Sequence, residues 1–396
     1  MAGIAILNGS LLLAGAAWLA VGARLYWGLQ GVPQFDANDP LPPLASAPRV
    51  TLIAAARNEE DALPAALESF LNLDYPDYEV ILVDDDSTDR TGAIADEWAR
   101  RPEAQGKLRI IHNHSVPPGW RGKVHALHLA EQAATGEWIL ATDADVIFHP
   151  SALRRAMALA QRDDAQLVTL TPDLEFDSLA EKAVLPAFSI LLSGIYPPRL
   201  VNDRGSGKAL AIGAFILMRR EDLEALGGYA KLRGSVVEDL KMAKLFKAGG
   251  RRLRYAVAHG LLRTKMYRGW GEMFEGLSRC AFEPAGNSLA NILGEVVVEN
   301  GMAVLPWAAA VARFIYDRFH GVPALHDPTL ILALAACAAC TTVYMPVLHY
   351  FRASPAMVLF LPAASVFYSC AALHSAFATL FGGGVTWKGR RYRTDT

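Results

Sequence analysis

Charge is missing from long runs near both ends of this chain, and that absence decides more about its fold than any motif. Residues 2–23 hold no Asp, Glu, Lys or Arg, and neither do Thr329 to Phe351 or Ala353 to Phe381, with Arg352 alone between the last two. Each run is about as long as a helix needs to be to cross the hydrocarbon core of a bilayer. Backbone in lipid must satisfy its own hydrogen bonds, so the runs read as an N-terminal anchor and a C-terminal hairpin of membrane helices. No basic residue precedes the first run and Arg24 follows it. That asymmetry favours an uncleaved anchor with its C-terminal side in the cytoplasm over a cleaved signal peptide. A formal net charge of −2 offers no electrostatic footprint for nucleic acid, so no nucleic-acid partner is expected. Cys337 and Cys340 stand inside an uncharged run, where small residues packing one membrane helix on another are expected rather than a redox pair.

Between the apolar ends the pattern changes twice. Five prolines, Pro33, Pro40, Pro42, Pro43 and Pro48, fall in a segment with little periodicity, which reads as a tether. From Arg49 short apolar runs alternate with amphipathic stretches, as an α/β domain with a mostly parallel sheet requires. The expected organisation is therefore an anchor over 1–28, a proline-rich linker over 29–48, an α/β domain over 49–285, interfacial or membrane-associated helices over 286–328, a transmembrane hairpin over 329–381 and a basic tail over 382–396. Within the domain, Val50–Ala54, Glu79–Val83, Leu108–Ile111, Glu137–Ala141 and Leu210–Met218 read as strands. Asp61–Leu71 and Val124–Ala134 have helical spacing. Residues 183–198 are uncharged but hold three prolines in sixteen residues, too short and broken to span; an interfacial helix and an ordinary buried helix remain open.

The acids carry the chemistry. Asp143 and Asp145 follow a buried strand, and residues two apart on a strand share a side, so the two carboxylates can converge on one ligand. Hard oxygen donors at the exposed end of a parallel strand suit Mg²⁺ or Mn²⁺ that takes its other ligands from a substrate's phosphates. Asp84, Asp85 and Asp86 lie directly after another strand; capping the helix near Arg90 needs one acid, not three. Glu238 and Asp239 open a further helix, where a cap is the ordinary explanation.

Ala55-Ala56-Arg57-Asn58-Glu59-Glu60, Val83-Asp84-Asp85-Asp86-Ser87-Thr88-Asp89, Pro118-Gly119-Trp120-Arg121-Gly122-Lys123 and Thr142-Asp143-Ala144-Asp145 occur in the order and spacing of family 2 glycosyltransferases. The chain resembles that family from about Arg49 to Ala285, and most of all its membrane-bound, hopanoid-associated members. The resemblance implies a GT-A nucleotide-sugar-binding fold and inverting transfer from a nucleotide-diphosphate sugar, with a UDP-sugar favoured. It implies donor binding by Ala56, Arg57, Glu59, Asp84, Asp85, Asp86, Lys123, Asp143 and Gly213, with Asp143 and Asp145 as metal ligands. It makes Asp239 the catalytic base and Glu238 its neighbour. Arg268 and Trp270 are similar to an Arg-Trp element of the family, although Gly269 separates them; holding the diphosphate and touching lipid headgroups are both open. Ala55 stands where a proline is usual and Asp86 where many relatives have glycine. The expected partners are the donor, a membrane lipid acceptor and the bilayer, in a multi-pass protein of a bacterial-type inner (plasma) membrane with a cytoplasmic catalytic domain. A polyprenol-phosphate sugar synthase and a catalytically inactive nucleotide-sugar-binding protein are the alternatives.

Overall fold

The computed structural model describes residues 2–282, 285–323, 326–381, 385–387 and 390–392. Much of the expected basic tail, Gly382 to Gly384, Lys388, Gly389 and residues 393–396, lies outside the described residues. The chain forms two compact units, Gly28–Glu175 with Tyr196–Met266, and Met1–Trp27 with Phe176–Ile195 and Tyr267–Thr396.

The first unit is built on eleven strands: β1 (Gln34–Asp36), β2 (Val50–Ala56), β3 (Tyr78–Asp84), β4 (Leu108–His112), β5 (Trp138–Asp143), β6 (Val146–Phe148), β7 (Leu167–Leu170), β8 (Asp173–Leu174), β9 (Ile216–Arg219), β10 (Leu253–His259) and β11 (Leu262–Thr264). Eight form one sheet in the order β1-β10-β7-β9-β5-β2-β3-β4, and β6, β11 and β8 form a small second sheet. Only β9 runs against its neighbours in the large sheet. Continuous burial along β2 and β3 explains their unbroken apolar runs, because helices cover both faces of a parallel sheet. Helix Leu63–Leu71 contributes Leu63, Leu67 and Phe70, all fully buried, to the core. The register sets Ala56 beside Asp84 and Ala55 beside Asp143, so β2, β3 and β5 deliver their last residues to one edge. That edge, the carboxyl end of parallel strands, is where α/β sheets bind ligands.

Two expectations change here. The proline-rich stretch is bound to the domain rather than free: Gln34–Asp36 pairs in parallel with Val257–His259 at the sheet's edge. Buried Arg155 then clamps the turn that follows, donating to the carbonyls of Ala37, Asp39 and Pro40. The strand expected over Leu210–Met218 shrinks to Ile216–Arg219 because backbone groups upstream are spent on side chains. Thr169 Oγ1 accepts from the Ile212 N–H at 2.9 Å, Asp239 accepts from the Gly213 N–H at 3.1 Å, and Thr142 Oγ1 donates to the Ala214 carbonyl at 2.8 Å.

In the second unit three helices are long and apolar enough to cross a membrane among the described residues, Ala2–Leu29, Pro328–Tyr350 and Pro355–Leu380. Helices Leu289–Ala303 and Leu305–His320 meet at a 44° bend, a broken span or re-entrant pair, where Pro306 starts the second. Cys340 and Tyr344 pack with Trp18 and Ile190, so Cys340 serves helix packing. Helix Leu179–Ile195 runs through Pro186, and buried Glu181 ties its start to the next helix of the unit by accepting from the Ser178 hydroxyl and the Gly269 N–H. Ile6, Leu13, Val297 and Phe319 are more than two-thirds exposed, a surface suited to lipid and costly in water.

Candidate active site

The first unit carries two groups of acids at the edge where its strands end. In the first, the three carboxylates after β3 are divided by burial. Asp84 is turned inward: its Oδ2 lies 3.2 Å from His112 Nδ1 and its Oδ1 accepts from the Ser87 N–H at 3.3 Å. A Cβ on Gly92 would stand 2.7 Å from that Oδ2, so only glycine admits the carboxylate there. Asp85, 3% exposed, accepts from Asn113 Nδ2 at 2.8 Å. Asp86, with φ +57°, is the exposed member. The Arg57 guanidinium folds over this turn, donating to the carbonyls of Asp85 and Asp86 at 2.5 and 2.9 Å. Glu59 is fixed by its N–H on Thr91 Oγ1 at 2.7 Å, and the start of helix Thr91–Ala99 is held by Asp89, which accepts from the Thr91 N–H, and by Glu60, which accepts from the Arg90 N–H. Of the residues expected to meet the nucleotide here, Asp84, Asp85 and Arg57 are thus engaged with the protein itself.

His112 and Asn113, which organise this turn, carry no sequence signal. They follow a strand like any other polar pair. The imidazole lies between Asp84 and Asp96 Oδ1, 3.0 Å away; the Asp96 hydrogen bond first, and Asp84 with it, holds its pKa above the ordinary value of 6.5 against the effect of burial.

The second group converges from parts of the chain remote in sequence. Asp143 ends β5, and Asp145 follows in the turn to β6, half-buried and outside the lining of the pocket that Asp143 enters. Lys123, at the start of helix Gly122–Ala133, places its Nζ 2.6 Å from Asp143 Oδ1 and 2.5 Å from Glu238 Oε1. Burial works against the ammonium, but the two carboxylates outweigh it and raise its pKa well above the usual range. Asp239, on the first turn of helix Glu238–Ala248, accepts from the Gly213 N–H at 3.1 Å and from the Leu240 N–H at 2.7 Å. Val237 holds the cap position, and both acids lie in the first turn, where Asp239 satisfies the otherwise free Leu240 N–H. Burial first, and the neighbouring Glu238 second, push Asp239 up to about 6.

Gly213 lies between the acids. A Cβ built there would stand 3.2 Å from Asp143 Oδ2 and 3.4 Å from Asp239 Oδ2. Tyr229 also lines the pocket, fully buried and held far above the usual tyrosine range by burial first and then by Glu238. The space left is about 10 Å³, room for roughly one water. Among the described residues no group of three or more His, Cys, Asp or Glu side chains is arranged to hold a metal ion, and the Asp143 carboxylate is here balanced by the Lys123 ammonium. Arg268 and Trp270 belong to the other unit. There the Arg268 N–H donates to Glu272 at 2.6 Å, and Trp270, 57% exposed, meets the edge of Phe367.

Residues 51–227 match the family described as "Glycosyl transferase family 2". A beta-monoglucosyldiacylglycerol synthase of Nostoc is 34% identical over 201 residues, which are 50% of this chain and 41% of the relative. The 4,4'-diaponeurosporenoate glycosyltransferase of Staphylococcus haemolyticus is 24% identical over 63% of this chain and 65% of its own length. The chain thus spans less than two-thirds of these curated relatives. Among solved structures, the mannosyltransferase PcManGT from Pyrobaculum calidifontis, in complex with GDP-Man and Mn²⁺, has a TM-score of 0.55 at 20% identity, covering 95% of this chain and 99% of that one. That likeness is one of fold.

Proposed function

We infer that this chain, whose middle is a family 2 glycosyltransferase domain of GT-A fold, moves a sugar with inversion from a nucleotide-diphosphate donor to a hydroxyl of a membrane lipid. The observation that carries the reading is Asp239: a carboxylate pushed up to about 6 in the same small pocket as Asp143 and Lys123 is tuned for general-base work near neutral pH. An acceptor phosphate would need no such base, which favours a hydroxyl over a polyprenol phosphate.

In this reading Asp239 accepts the acceptor's proton as the oxygen attacks the anomeric carbon, and the N–H groups of Gly213 and Leu240 aim its carboxylate. Asp143 would hold Mg²⁺ or Mn²⁺, with Asp145 as the second ligand from the adjoining turn. Such an ion supplies charge neutralisation for the departing diphosphate. Ala56, Glu59 and Asp86, at the carboxyl edge of the same sheet, are the proposed contacts of the nucleotide. A UDP-sugar donor and a hopanoid-like acceptor follow from the resemblance of the sequence. Lipid acceptors in general gain support from two relatives named for a glucosyldiacylglycerol and for diaponeurosporenoate, and from the three helices apolar enough to span a membrane. The catalytic unit would then face the cytoplasm beneath the inner membrane.

Incubating the purified chain with a panel of nucleotide sugars and native lipid extract, followed by mass spectrometry, tests this. The expected result is one lipid class gaining the mass of one hexose-type residue. Donor hydrolysis or binding with no glycosylated lipid from any donor would overturn the acceptor class.

A further inference from the structure

The apolar helix Ala2–Leu29 delivers its last two residues to the first unit. A Cβ on Gly28 would stand 3.2 Å from Pro197 Cβ, so the helix's last turn lies directly on the residue that leads into the short helix Pro198–Asn202. The Val32 N–H closes the turn that follows by donating to the Leu29 carbonyl at 3.2 Å. Beside that turn is a cavity of about 320 Å³, lined by Gln30, Gly31, Arg199, Asn202, Asp203 and Arg254. Its walls are fixed. The Asn202 side chain donates to the Tyr255 carbonyl at 2.9 Å and accepts from the Tyr255 N–H at 2.6 Å, while Lys247 Nζ donates to the carbonyls of Leu200 and Val201 at 3.0 and 2.8 Å. Arg254 is held by Asp163 at 2.7 Å and by the Asn202 carbonyl at 3.1 Å, and a guanidinium carries more N–H donors than these contacts use.

Cations outnumber acids in this cavity. Its lining holds two guanidiniums and one carboxylate, and that carboxylate, Asp203, is engaged with its own loop through the Gly205 N–H at 3.0 Å. Nearby, Arg252 has its pKa held below the usual arginine value by burial first, then by the like charges of Arg254 and Arg204. An anion would relieve such crowding. The topology separates this anion from the donor's diphosphate: β7 and β5 both run antiparallel to β9, and β10 runs parallel to β7, so β10 has the sense of β5. Arg254 is the second residue of β10, which puts the cavity at the amino edge of the sheet, opposite the carboxyl edge that Asp143 reaches. In a helix that crosses the bilayer, the residues after the last turn stand at headgroup level, where the abundant anions are the phosphates of phospholipids. We propose that Arg199 and Arg254 dock the phosphate of a membrane phospholipid headgroup in this cavity, pinning the amino edge of the sheet to the bilayer. The site rests on the membrane placement proposed for the helix Ala2–Leu29 and is independent of which lipid receives the sugar.

The test uses the full-length chain in dodecyl maltoside, a detergent without phosphate. Reaction of Arg199 with phenylglyoxal is read by peptide mass spectrometry against exposed Arg109 on β4, the strand at the other side of the sheet. Dioleoylphosphatidylglycerol should lower the Arg199 reaction several-fold relative to Arg109. Dioleoylglycerol, which has the tails without the phosphate, and glycerol phosphate at the same concentration should leave the ratio as it was. In native mass spectrometry Arg199→Gln should retain the phospholipid about fivefold less tightly, the usual worth of one cation at an anionic membrane surface. An Arg199 reaction that the phospholipid leaves unchanged, or a variant that retains it as tightly as the parent, overturns the site. Equal protection by dioleoylglycerol or by glycerol phosphate overturns the headgroup as occupant, in favour of the tails or of a soluble anion. None of these results bears on sugar transfer, which stands or falls with the pocket of Asp143 and Asp239.

Discussion

The acidic turn after β3 and the pocket at the end of β5 hold the same kind of side chain at the same edge of one sheet, yet the protein treats them oppositely. At the turn, Asp84 and Asp85 are 6% and 3% exposed and are met by fixed donors: an imidazole, a side-chain amide and a backbone N–H. In the pocket, Asp143 is balanced by a lysine on a flexible stem, and Asp239 is left with backbone donors and a raised pKa. Buried carboxylates saturated by rigid partners stabilise a loop, because removing a partner leaves an unsatisfied charge. Carboxylates balanced by a movable one remain available for chemistry. The cue that separates the two groups is therefore the stiffness of the partner rather than the acid.

The contrast is broken most directly at Asp239. Replacing it by Asn removes the base, so transfer should fall by about 10²–10⁴-fold while Mn²⁺-dependent nucleotide binding stays close to the parent's. Steady-state rates beside calorimetric nucleotide titration check this, and a variant transferring at the parent rate would refute the base assignment. Asp84→Asn should do the reverse. It weakens a buried, charge-assisted contact worth about 1–3 kcal/mol, so the domain should unfold at lower denaturant while its turnover in the folded state changes little. Equal denaturation midpoints for parent and variant would remove the structural role argued for the turn.

The smallest effects are in pH, and the two groups should respond in opposite directions. Asp239 must be ionised to act, and its pKa is raised to about 6, so kcat/KM should drop by about tenfold per unit as pH falls below that value. His112 has a folded pKa raised above 6.5, chiefly by Asp96, so the stability it adds is whole below 6.5 and is lost as pH rises through the raised value. Rate profiles and unfolding curves across pH 5 to 9 should separate the two; a single group governing both would merge them.

What could be read from the residues alone was what repeats locally. Charge-free runs marked the helices apolar enough to span a membrane, alternating runs marked the sheet, and Thr142-Asp143 marked the point where a buried strand surfaces, because periodicity and burial act over a few neighbours. The same reading made Leu210–Met218 a longer strand, since nothing in its apolar pattern announces that Thr169, Asp239 and Thr142 would claim its backbone. Likewise the prolines of the expected tether concealed an edge strand paired with β10 and a following turn clamped by Arg155, contacts between remote segments.

The sequence by itself determined that acids would line the carboxyl edge of a mostly parallel sheet between apolar ends. Only the tertiary structure decided how each acid is balanced: it brought Lys123 to Asp143 and Glu238, set Gly213 against Asp239, and set Asp84 against His112. The physical reason is that an ion pair is an interaction of position in space. Its members come from helices and strands whose packing is driven by apolar burial, so the charges are carried to one another by side chains that have no charge of their own.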